Sequence, residues 1–197
     1  MKALKNLGMR GSWVACTAAW SLYGGAAHSA DGPYISAAYS YSGYETRCDG
    51  SASCERRSSG FRVAGGWAFS PHWTVEALYL DAGRFDASGA TSEGTIFSGR
   101  AKISAVGATL GYDWVFGGAF TLGPRAGIAA VKANFTPGPP PAVPGGATTT
   151  QFLGGAAAAW RITDAWSLHL DWDHTRARMN RFDGDVNVAS LGVQFGF

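Results

Sequence analysis

The chain lacks long apolar runs. No segment of residues 31–197 holds 18 consecutive apolar residues, the length a membrane-crossing helix needs. That excludes a helical membrane protein. It does not exclude a barrel, whose strands each carry only a weak hydropathy signal. Cysteine is scarce, at three residues. Almost no apolar sequence precedes Cys16, which argues against a lipoprotein box. Cys48 and Cys54 share one polar stretch, RCDGSASCERRSS. In an oxidising compartment they are read as a disulfide closing a small loop, with two free thiols as the alternative. No histidine or second cysteine pair lies nearby, so no metal site is expected. A charge excess is missing too. Removing Lys2, Lys5 and Arg10 with a leader takes the 16 basic residues to 13, one fewer than the 14 acidic ones. Nothing in that balance favours a nucleic-acid partner.

The N-terminus has the parts of a secretory signal. Lys2, Lys5 and Arg10 form a basic n-region, Trp13 to Tyr23 a short apolar core, and Gly24 to Ala27 a small-residue approach to a cut after Ser29 or Ala30. Residues 1–30 are therefore expected to be a signal peptide and 31–197 one domain.

Eight segments alternate with period two, the signature of strands whose faces meet different surroundings. The first runs from about Tyr34 to Tyr44, the second from Gly60 to Phe69 and the third from Trp73 to Gly83. The fourth runs from about Lys102 to Phe116, the fifth from Phe120 to Ala133, the sixth from Thr150 to Arg161 and the seventh from Ala165 to Arg176. The eighth is SLGVQFGF at the C-terminus. Tight turns at Ser70-Pro71-His72, Gly117-Gly118 and Thr163-Asp164 alternate with long polar loops. Those loops are placed at Thr46–Ser59, Asp86–Arg100, Asn134–Thr149 and Ala177–Gly184. Short turns at one end and long loops at the other is the transmembrane-barrel pattern. Pro124 fits a closed ladder poorly, and a bulge or a local break is expected there.

Trp67, Trp73, Trp114, Phe116, Phe120, Trp160 and Trp166 flank the tight turns on the face read as outward. Amphipathic rings favour the headgroup level, so they are read as a girdle at one membrane interface. The alternative is packing near turns in a soluble barrel. A lipocalin-like barrel, however, would put apolar residues inside and charges outside. Here the charged strand residues lie opposite the aromatics. The chain therefore predicts an all-β fold: an eight-stranded antiparallel up-and-down transmembrane β-barrel.

VEALYLDAGRF (Val75 to Phe85), TLGY (Thr109 to Tyr112) and the final SLGVQFGF together resemble the OmpA-like transmembrane-domain family of small outer-membrane barrels. The resemblance implies the outer membrane of a Gram-negative bacterium and a monomer without cofactors. It also implies outer-membrane lipid, lipopolysaccharide and the barrel-assembly machinery as partners, with Phe197 as the assembly signal. The family's separate peptidoglycan-binding domain is not seen, so no cell-wall anchor is evident. Glu76, Arg125 and Asp171 match lumenal charges of that family, and Thr109 stands where a lysine can occur. By parity Arg62, His169 and Asp173 also point inward. Eight strands leave an interior just wide enough for side chains, where charges must pair or stay hydrated. The network can plug the barrel, or it can gate a narrow pore in which a Glu76–Arg125 contact exchanges partners. Small residues at 64, 66, 155, 157 and 159 leave space for a water-filled route.

The expected role is structural, with weak gated porin activity for small solutes or ions. The alternative is a surface adhesin or recognition protein acting through its loops. Arg47, Glu55, Arg56 and Arg57 in the first loop offer an anion-binding tip, although such charges are more often simply solvated. No catalytic residue is expected. His174 is the only tempting histidine near a loop end, and no nucleophile is evidently held within reach of it.

Overall fold

The structure is a computed structural model and describes residues 32–45, 53–54, 57–90, 96–138, 145–179 and 182–197. Residues 1–30, read from the sequence as a signal peptide, and Cys48, Arg47, Glu55 and Arg56 lie outside the described residues. Eight long strands dominate: β1 (Gly32–Glu45), β2 (Arg57–Ala68), β3 (Trp73–Ala90), β4 (Ile96–Tyr112), β5 (Phe120–Pro137), β6 (Gly145–Arg161), β7 (Trp166–Met179) and β8 (Phe182–Gly196). Each pairs antiparallel with the next, and β1 closes the ring on β8 from Tyr34↔Gly196 to Glu45↔Asp185. The fold is a closed eight-stranded antiparallel barrel, with no helix among the described residues. Closure removes both sheet edges and satisfies the backbone groups that lipid cannot.

The alternation holds in the structure. Ile35, Tyr39, Phe61, Val63, Val75, Leu110, Leu122, Ile128, Leu168, Leu170, Leu191 and Val193 are exposed on the outer wall. Ser36, Ser40, Arg62, Glu76, His169, Asp171 and Asp173 are buried within. Two side-chain caps tighten the short turns. Ser70 Oγ accepts from the Trp73 amide at 3.0 Å, and Thr163 Oγ1 accepts from the Trp166 amide at 3.0 Å. Gly117 and Gly118 both take positive φ, 56° and 71°, which a tight hairpin demands and glycine supplies without strain.

Two expectations need correction, and a third, the irregularity at Pro124, takes one of its two expected forms. First, the strands run into the segments read as loops. β3 and β4 extend to Ala90 and from Ile96, β5 and β6 to Pro137 and from Gly145, and β7 and β8 to Met179 and from Phe182. Strands of 17 or 18 residues exceed the roughly 9–11 that a tilted strand needs to cross a bilayer. Above the lipid the outer face no longer has to be apolar, so pairing can continue past the alternation that marks the membrane. Second, the fourth segment is not continuous. Asp113 interrupts it, and Trp114–Phe116 follows as a separate short strand on β5. Third, Pro124 pairs with Ala156 in unbroken register on the β6 side, while the ladder toward β4 lapses between Gly111↔Arg125 and Trp114↔Leu122. A break is therefore present at Pro124, without a slip. Among the described residues the register shift lies instead in β3, between Asp81 and Arg84.

Candidate functional site: the barrel lumen

From the tight-turn end upward, the lumen is filled in layers. The first lies at the mouth. Arg125 donates from Nη1 to Thr74 Oγ1, and its Nη2 meets Asp113 Oδ1 at 3.3 Å. Asp113 faces inward in step with Thr109 and Gly111, and its amide donates to the His72 carbonyl at 2.7 Å, one residue beyond the Trp73↔Tyr112 pair. Gly111 makes room for this arginine, since a Cβ there would collide with its guanidinium. The pair borders a cavity of about 290 Å³ shared with Arg161, Ser167 and Gln194.

The second layer centres on Arg62, which is 2% exposed. Its guanidinium donates from Nη2 to Glu76 Oε1 and faces Asp173 at 3.3 Å and Asp171 at 3.6 Å. His169 Nδ1 lies 2.5 Å from Asp171 Oδ2. The Tyr34 hydroxyl donates to Glu76 Oε2 at 3.2 Å. Its ring occupies the space beside Gly66, where any Cβ would overlap it. Three carboxylates thus converge on one guanidinium, and its removal would leave Asp173 without a counter-charge and Glu76 and Asp171 with only Tyr34 and His169 in a confined space.

The third layer is apolar. Leu78, Leu80, Phe85, Ile103, Val131, Leu153, Val186 and Val188 form one buried cluster with Ala64, Ala105, Ala129 and Tyr44. It sits on the long-loop side of the charges and inside the barrel, not on its outer wall.

Five of the six lumenal residues named from the sequence meet in the second layer: Arg62, Glu76, His169, Asp171 and Asp173. Arg125 does not join them. The expected Glu76–Arg125 contact is not formed, because Arg62 and Tyr34 occupy both Glu76 oxygens and Asp113 and Thr74 hold Arg125. Thr109 is buried directly opposite Glu76. Of the free space expected beside the small residues, that at Gly66 is filled by Tyr34 and that at Ala64 by the apolar cluster, while Ala159 lines the cavity at the mouth. Tyr34, Thr74 and Asp113 escaped the sequence reading. Tyr34 was legible by parity, being inward like Ser36. Asp113 was legible in the same way, being inward like Thr109.

Outside, Trp67, Trp73, Trp114, Phe116, Trp160 and Trp166 are all exposed, as is Phe120, which stacks on Trp160 at 5.7 Å. A second tier was not read from the sequence. Tyr39, Tyr41, Phe61, Tyr79, Phe152 and Trp172 are exposed nearer the long loops. Between the tiers the wall is aliphatic or small. Phe197 donates its amide to the Pro33 carbonyl at 3.1 Å and sets its ring 5.1 Å from Phe195. His174 Nδ1 meets Asn187 Oδ1 at 2.9 Å on the outer wall. Among the described residues it bonds to no hydroxyl or carboxylate. Of the expected disulfide, Cys48 lies outside the described residues, and the Cys54 backbone pairs with Ala87.

An apolar wall between two aromatic tiers, on a closed barrel with a packed polar and apolar interior, defines a small membrane-spanning β-barrel. Its particular kind follows from comparison. Residues 12–197 match the outer membrane protein beta-barrel domain family, and the chain belongs to it; its place is the bacterial outer membrane. Similar solved structures include Neisserial surface protein A, at 15% identity over 84% of this chain and 97% of that one, with a TM-score of 0.62. OprG of Pseudomonas aeruginosa is 10% identical over 84% and 96%, with a TM-score of 0.60. Ail, the attachment invasion locus protein of Yersinia pestis, solved with the heparin analogue sucrose octasulfate, is 18% identical over 85% and 99%, with a TM-score of 0.56. At such identities the likeness is one of fold. No curated protein matches the sequence.

Proposed function

We propose that this protein is a closed outer-membrane scaffold rather than a resting pore. The observation that carries the reading is the stacking of two seals of opposite character. A charged layer around Arg62 is followed by an apolar layer around Leu80, Leu153 and Val188. An ion stripped of water for the apolar layer gains no ligand there, and hydrophobic constrictions close by dewetting. The test is single-channel recording of folded protein in a planar bilayer, with folding checked by the mobility of unboiled samples on a gel. Silence from folded protein is expected. Discrete steps would return the lumen to the gated-pore reading.

A second reading is recognition at the cell surface through the loops, and the strand extensions favour it. The paired strands of hairpins β3–β4 and β5–β6 continue to Ala90 and Ile96 and to Pro137 and Gly145, past the aromatic tier, a platform of the kind that carries binding loops. Ail was solved with a sulfated heparin analogue, which makes heparin the first probe here. Retention of the protein on heparin, lost when the Ala90–Ile96 tip is replaced by a short turn, is the expected result. No retention of the parent protein would end this reading for polyanions.

A further inference from the structure

Along β3 the outward residues are Trp73, Val75, Ala77, Tyr79 and Asp81. Strict alternation would put residue 84 in the lumen. It does not go there. Asp81 faces Ser104, but Arg84 faces Lys102, so Ala82 and Gly83 together oppose Ile103. The extra residue is a bulge. Gly83 supplies its positive φ of 85°, and bulges of this kind re-aim side chains. Neighbouring strands brace it. Ser42 Oγ donates to the Ala82 carbonyl, the Gly83 amide donates to Asp81 Oδ1 at 2.8 Å, and the Arg84 amide donates to Ser58 Oγ at 2.8 Å. As a result Phe85 enters the apolar cluster and Arg84 stands on the outer wall.

There it joins two other cations. Arg84 is directly opposite Lys102, whose other neighbour is Asn134. One row nearer the membrane, Ser104 is opposite Lys132, and Lys132 is opposite Thr148. The next row is Tyr79, Val106 and Ala130, on the apolar wall. The cations therefore begin one outward step above the greasy belt, roughly 7 Å along a strand. Like charges directly opposite each other destabilise a sheet unless something bridges them. Asp81 holds Lys102 at 2.9 Å, but its other oxygen is tied into the bulge. Among the described residues no carboxylate pairs with Arg84 or Lys132.

We infer that Arg84, Lys102 and Lys132 form a binding site on the outer wall for the phosphate of a phosphorylated lipid headgroup in the outer leaflet. The site has two cations with no carboxylate partner among the described residues, and the hydroxyl and amide groups of Ser104, Thr148 and Asn134. It lies where a headgroup sits when its acyl chains lie against Tyr79, Val106 and Ala130. Arginine and lysine give charge-assisted hydrogen bonds to phosphate oxygens, and surface potential draws anionic headgroups to basic residues at the interface. The inference is independent of whether the lumen conducts or the loops bind.

The probe is lipid A carrying both phosphates, added to protein extracted from outer membranes in detergent and read by native mass spectrometry. A bound 1:1 species is expected, and lipid A stripped of phosphate should not form it. In Arg84→Gln/Lys132→Gln the affinity should fall about tenfold or more, the loss of two charge-assisted contacts. Arg176→Gln, whose parent residue is already paired with Asp185 at 3.0 Å, should bind as the parent does. Two results would overturn the assignment. One is undiminished binding by a double variant that still runs as a folded barrel. The other is displacement of the lipid by equimolar inorganic phosphate, which would reduce the site to a free-anion site.

Discussion

At the scale of single residues, Arg62 carries the most. Among the described residues it is the one guanidinium that meets Glu76, Asp171 and Asp173 together, and it is 2% exposed. Breaking a buried ion pair by removing one partner typically costs about 3–5 kcal/mol. Arg62→Ala should therefore lower unfolding stability by about that much, measured by urea titration of tryptophan fluorescence in detergent. Glu76→Gln should cost clearly less, because the amide oxygen still accepts from Tyr34 and two carboxylates still face the arginine. An Arg62→Ala variant as stable as the parent would show that hydration, and not the guanidinium, holds the carboxylates in place. The sequence placed Arg62 inward by parity. It did not show that Arg62, and not Arg125, would meet Glu76. Parity gives the face of a residue but not its height in the barrel, and it is height that pairs Arg62 with Glu76 and Arg125 with Asp113.

At the scale of elements, the strands' faces were legible and their irregularities were not. Alternation follows from the contrast between lipid and lumen, so it marks the membrane-crossing stretch of each strand and stops where the contrast stops. That is why β3 was read as ending at Gly83 although pairing continues to Ala90. It is also why a bulge at Ala82–Gly83 went unseen while one was sought at Pro124. Gly83 offers a direct test. A Cβ there would lie 2.3 Å from both Ser58 Oγ and the Ser59 carbonyl, at a φ of 85° that other residues rarely adopt. Gly83→Ala should cost about 1–3 kcal/mol, the range for a strained backbone position. It should also loosen Phe85 from the apolar cluster, seen as faster proteolysis of the β3–β4 hairpin. Gly43→Ala is the control. A Cβ at that position meets nothing within 4 Å, so the change should stay within about 0.5 kcal/mol.

At the scale of the whole molecule, the overall plan was written plainly in the sequence: eight alternating segments, short turns at one end, aromatics outward and charges inward. The apolar layer was not. Leu80, Phe85, Leu153 and Val186 come from strand ends read as loop margins, or from the face read as polar, and only closure of the ring brings them together. Their presence changes what the lumen can do, because two unlike seals in series fail independently. Loss of the ionic layer through Arg62→Ala leaves an apolar constriction that excludes hydrated ions. Thinning of the apolar layer through Leu80→Ala/Leu153→Ala leaves the guanidinium and its carboxylates across the bore. Each leucine truncation costs about 2–5 kcal/mol, so recordings must be limited to protein that still runs as a folded barrel. Planar-bilayer traces should then be silent for the parent and for each partial variant. Steps should appear only in the combined Arg62→Ala/Leu80→Ala/Leu153→Ala protein. Conductance from Arg62→Ala alone would mean that the apolar layer is no seal and that the charged layer is the sole gate. Conductance from Leu80→Ala/Leu153→Ala alone would mean that ions pass the charged layer freely, leaving the apolar cluster as the barrier that closes the barrel.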